Sequence, residues 1–159
     1  MKKILWFVTI LFWSFIQYPS ITSADSLTLL AQGKYFSVYV ETGKTDWEDL
    51  LRVLDLVSAT ALESLYDKPG KNLQEVLAQR LDSLFLEILD ILDFQLDNFH
   101  GKINIYASEK DLGEAFKEVF GVSLKAKAYY DFERNTIYIS LEDLTLGILG
   151  HEIAHALMS

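Results

Sequence analysis

The chain has 159 residues, 50% of them hydrophobic, a formal charge of −9 and no cysteine. That length suits one domain with a sizeable core, and the acidic balance excludes a nucleic-acid partner, because phosphate binding needs a basic face. Without cysteine there are no disulfides, thiolate ligands or cysteine nucleophiles, so any metal site must be built from histidines and carboxylates.

At the N-terminus Lys2 and Lys3 precede an apolar run from Ile4 to Ile16. Pro19 breaks the run, and Thr22-Ser23-Ala24 supplies small residues before Asp25. This is the anatomy of a secretory signal peptide over residues 1–24, cleaved after Ala24. It implies a mature domain of residues 25–159, exported to the periplasm or the extracellular space. The competing reading is an uncleaved membrane anchor, although the run falls short of the roughly 20 residues that span a bilayer. A membrane is a partner only in that second case.

The mature chain opens with "KYFSVYVETG", in which Phe36, Val38 and Val40 alternate with Tyr35, Ser37 and Tyr39, predicting a half-buried strand closed by Gly43. Thr45 and Glu48 form a capping box, and Leu50, Val53, Leu54, Val57, Ala61, Leu62 and Leu65 follow at helical spacing until Lys68-Pro69-Gly70. A longer helix is expected from about Asn72. Its apolar stripe runs from Leu73 through Leu77, Leu81, Phe85 and Leu89 to Leu92, and Leu86 and Ile91 widen it enough to suggest burial on more than one side. Glu75, Asp82, Glu87, Asp90 and Asp93 fall mostly off the stripe and read as a solvated face.

His100-Gly101 marks a turn into a strand over Lys102–Ser108, and His100 reads as a turn residue rather than a ligand. Ser108 then caps a short helix that stops at Gly121. "AKAYYDFERNTIYIS" reads as a hairpin with its turn at Asp131 to Asn135 and its second strand at Thr136 to Ser140. Ser140 to Asp143 are read as the cap of a final helix. The order predicts an α+β domain in which a small, partly antiparallel sheet packs with long helices.

The final helix contains His151-Glu152-Ile153-Ala154-His155. Residues four apart lie one above the other on a helix, so both imidazoles address one point, and zinc accepts nitrogen donors at about 2.0–2.1 Å. Glu152, one position on, flanks that point as a general base rather than a ligand. Two of the chain's three histidines make this H-E-x-x-H pattern. Leu146, Leu149, Ile153 and Leu157 form a separate apolar stripe, so one face packs and the other carries the site. Gly147 and Gly150 each cost roughly 1 kcal/mol inside a helix, which suggests close approach by another backbone, the strand Thr136–Ser140 being the nearest candidate. Tyr129, Tyr130 and Tyr138 stand near enough to line a cleft and supply an oxyanion partner; ordinary hairpin packing is the competing reading.

"NTIYISLEDLTLGILGHEIAHALM" resembles the strand-then-helix core of zincin metallopeptidases, specifically the peptidase MA-like group of small exported bacterial proteins. The likeness covers about Ala126 to Met158. It implies a zinc cofactor held by His151 and His155, and Glu152 as the base in hydrolysis of a peptide or protein substrate. It also implies that the backbone of Ile137, Tyr138 and Ile139 pairs with that substrate. Metzincins continue with a glycine and a third histidine, but Met158 occupies the glycine position. The resemblance therefore leads one to expect a third ligand on a further helix beyond Ser159. An upstream carboxylate, one from a second subunit, or the Ser159 α-carboxylate are the other possible sources. The rival to an enzyme is a non-catalytic exported binding or assembly module with the same architecture. Oligomeric state is not legible.

Overall fold

A computed structural model of the chain describes residues 27–45, 50, 73–96, 98–123 and 125–159. The expected signal segment and nearly all of the helix expected after Thr45 lie outside the described residues. What is described is a mixed α/β arrangement: a five-stranded sheet with three helices. The strands are β1 (Leu27–Gln32), β2 (Phe36–Glu41), β3 (Gly101–Tyr106), β4 (Ala128–Asp131) and β5 (Thr136–Ser140), in the spatial order β1-β2-β3-β5-β4. The helices are α1 (Leu73–Leu92), α2 (Glu109–Phe120) and α3 (Leu146–Met158).

The central pairings, β2 with β3 and β3 with β5, are parallel, and the hairpin pairings β1–β2 and β4–β5 at the two edges are antiparallel. Period-two alternation divides the side chains between the faces. Phe36, Val38, Val40, Ile103, Ile105, Ile137 and Ile139 turn to one face, where they meet Leu77, Leu81, Phe85 and Leu89 of α1 and Leu149, Ile153 and Leu157 of α3. Leu50 is buried in the same core. On the other face Tyr106 and Tyr138 pack with Leu112 and Ala115 of α2.

Several expectations need correction. β1 has no counterpart in the sequence reading, because its register shifts between Leu29 and Ala31 and so breaks the alternation that would have announced it. Leu86 and Ile91 do not widen the buried face of α1; they are 49% and 79% exposed. Asp82 does not belong to a purely solvated face. Its carboxylate accepts from the backbone N–H of Lys34 at 2.8 Å and of Tyr35 at 3.0 Å, clasping the β1–β2 turn to α1. Gly33 makes room for it: a Cβ there would lie 2.7 Å from Asp82 Oδ1.

Helix ends follow local chemistry. Ser108 accepts from Asp111 N at the start of α2, and Gly121, at a left-handed φ of 73°, ends it by donating to Lys117 O. The cap of α3 is Thr145, whose hydroxyl accepts from Ile148 N at 3.2 Å. Ser140 and Asp143 form an isolated turn just upstream, with Asp143 N donating to Ser140 Oγ at 3.2 Å. The expected cap is therefore a turn, and the helix starts later because Thr145 is the residue held in extended conformation before it.

Candidate metal centre and its groove

α3 leaves β5 through the Ser140–Asp143 turn and packs back on the sheet with Leu149, Ile153 and Leu157 inward. That packing sets the rotation of the helix and turns His151 and His155 outward, where both are exposed. Their Nε2 atoms lie 3.0 Å apart, with the rings nearly perpendicular at 87°. Two nitrogens bound to one zinc at a tetrahedral angle would stand about 3.3 Å apart. The pair is within a small side-chain rotation of that spacing, so this donor set fits two positions of a zinc site. Without an ion, the same contact is an N–H···N hydrogen bond between one protonated and one unprotonated nitrogen.

Glu152 is buried, at 7% exposure, between these exposed histidines. Burial raises its carboxyl above the ordinary carboxylate range, and the two imidazoles partly offset that rise. Glu152 and His155 open onto a groove of about 650 Å³ between α3 and β4, also bordered by Ala128, Tyr129, Tyr130, Phe132, Met158 and Ser159.

The resemblance to zincins implies a substrate-facing backbone at Ile137, Tyr138 and Ile139, and the strand pairing does not leave it free. β5 is an interior strand, paired with β3 on one side and β4 on the other. Asn135 O accepts from Lys102 N and Leu141 N donates to Tyr106 O, so by alternation Ile137 and Ile139 direct their backbone groups to β3. Ser140 N donates to Lys127 O, which by the same alternation directs Tyr138 to β4. No backbone group of these three residues is left for a peptide.

The available backbone is one strand further out. In the β4–β5 ladder Tyr129 and Asp131 point at β5, so the N–H and C=O groups of Ala128 and Tyr130 point away from the sheet. Sequence reasoning missed these two residues. A hairpin shows that one of its strands can be an edge, but only the β3–β5 pairing says which.

The three tyrosines divide. Tyr129 and Tyr138 stack at 4.6 Å on the α2 face, and Tyr129 also meets Phe116 edge-on, so both rings are held on the face opposite α3. The Tyr129 hydroxyl is buried with no hydrogen-bond partner among the described residues. Tyr130 borders the groove and donates its hydroxyl proton to Asn135 Oδ1 at 2.9 Å, with Ser159 Oγ 3.3 Å away.

His100 is occupied elsewhere. Its Nδ1 lies 3.1 Å from Lys34 O and its Nε2 2.8 Å from Ser37 Oγ. A carbonyl can only accept, so Nδ1 carries the proton and Nε2 accepts from the serine. Among the described residues no group of three His, Asp or Glu side chains could hold a metal ion. Among the described residues no backbone approaches the α3 glycines as closely as expected. A Cβ at Gly150 would meet Ile88 Cδ1 at 3.6 Å, and one at Gly147 only Thr145 Oγ1 at 3.9 Å.

Comparison with known proteins finds no matching family model, no similar curated protein and no similar solved structure. Among the described residues no helix is long and apolar enough to cross a membrane.

Proposed function

We propose that this chain carries the active-site helix of an exported, zincin-type zinc metallopeptidase. The observation that carries the reading is the geometry on α3: two exposed Nε2 atoms 3.0 Å apart, with a buried carboxyl from the next residue opening onto the same groove. His151 and His155 would hold zinc; among the described residues no third His, Asp or Glu side chain joins them. When bound, zinc supplies a lowered water pKa and a polarised carbonyl.

The chain's own residues do the rest. Glu152, shielded from solvent, accepts the proton of the attacking water and returns it to the departing amine. Ala128 and Tyr130 present outward N–H and C=O groups along the groove, so an extended peptide can add to β4 as a sixth strand. The scissile bond then lies beside α3. A second reading, a non-catalytic exported binding module, draws on that same edge, which needs no metal to bind a peptide.

The test is metal content and hydrolysis in three variants. His151→Ala and His155→Ala should each abolish stoichiometric zinc. Glu152→Gln should retain zinc and lose hydrolysis, because it removes the base and leaves the ligands. Equal metal loss in all three would make Glu152 a ligand and refute the mechanism. Retained zinc with no hydrolysis in any form would favour the binding module.

A further inference from the structure

Two large apolar side chains stand at the rim of the groove in the open: Phe132 is 72% exposed and Met158 is 59% exposed. They flank the outward-facing backbone of Ala128 and Tyr130, and the groove's bordering residues include one acid, Glu152, and no lysine or arginine. Arg134, on the same turn as Phe132, is engaged by Asp131 at 2.7 Å. A strand added to β4 sends alternate side chains to the α3 face, into this groove. There they meet aromatic and thioether surface, with a carboxyl below and, among the described residues bordering the groove, no lysine or arginine to pair with an acidic residue.

We infer that the groove selects an extended peptide carrying a large apolar side chain at the position facing Phe132, and rejects one carrying an acid there. The inference deepens the proposed metallopeptidase reading and rests on it for the direction of the peptide past Glu152. Phe132 is the specificity-determining residue. It follows Asp131, whose Oδ1 accepts from Glu133 N at 3.0 Å and Arg134 N at 3.2 Å, so the turn that displays it is held by hydrogen bonds that do not involve its ring.

The test uses fluorescence anisotropy with the full chain in a metal chelator, so that nothing is cleaved. The probes are two labelled decapeptides of one sequence, with either Phe or Asp at alternate positions. The Phe peptide should bind at least about tenfold more tightly, a difference of roughly 1.4 kcal/mol. Phe132→Ser should reduce the preference and Phe132→Leu should restore most of it, with thermal melting of both variants unchanged. Equal affinity for the two peptides, or an unaltered preference in Phe132→Ser, overturns the inference. So does a dimer that Phe132→Ser dissolves while neither peptide binds, since the rim would then belong to a second copy. Glu152-dependent hydrolysis without the preference would sink only this inference. The preference without metal or hydrolysis would sink the peptidase reading and leave the groove a peptide-binding site.

Discussion

Asp82→Ala offers a sharp test of how α1 is tied to the sheet. The carboxylate accepts two backbone N–H groups, from Lys34 at 2.8 Å and Tyr35 at 3.0 Å, across 48 and 47 residues of sequence. A hydrogen bond to a charged group contributes about 1.5–3 kcal/mol when protected from solvent. The Lys34 amide is exposed and recovers water on mutation, so its share is small, while the half-buried Tyr35 amide is left poorly solvated. The sum is a loss of about 2 kcal/mol, and Asp82→Asn, which keeps one acceptor oxygen, should lose about half of that. The effect should reach the candidate site, because Ile88 of α1 lies against Gly150 of α3. Urea unfolding is the assay: the midpoint should fall with an unchanged slope. A loss below about 0.5 kcal/mol would return Asp82 to the solvated face that the helical pattern assigns it.

Other outcomes follow from the same contacts. Gly147→Ala and Gly150→Ala should each stabilise the protein by about 0.5–1 kcal/mol in chemical denaturation, since helix propensity rises and both positions have room for a methyl group. Ala128→Pro removes an outward N–H and should cost under about 1 kcal/mol, whereas Tyr129→Pro breaks the β5 ladder and should cost about 3 kcal/mol; a larger loss at Ala128 than at Tyr129 would mean the edge parity is reversed. Burial keeps the phenols of Tyr106, Tyr129 and Tyr138 protonated above the ordinary tyrosine value. The folded state then holds protons that the unfolded chain releases, so stability is intact below about pH 10 and falls as pH rises beyond it. Absorbance titration should show these three of the eight tyrosines ionising only with unfolding, and early ionisation of all eight would contradict their burial.

Much of the site was legible locally. The spacing of His151 and His155 is a property of one helical turn, and their convergence to 3.0 Å needs no tertiary information. The apolar series Leu149, Ile153 and Leu157 likewise announced which side of α3 would pack. The alternation in Phe36–Val40 and the cap at Ser108 were visible for the same reason: each is written within a few residues. What tertiary structure decided was pairing and depth. Whether β4 or β5 is the free edge depends on β3, about thirty residues upstream, and that one pairing moved the available backbone from Ile137, Tyr138 and Ile139 to Ala128 and Tyr130. The separation of Tyr130 from its neighbours Tyr129 and Tyr138 followed from which helix covers which face. The same is true of Asp82, whose partners are remote in sequence, and of Glu152, whose burial comes from the seating of α3 on the sheet. Periodicity specifies which side of an element is apolar; the partner that side meets is set by long-range packing, which no local window contains.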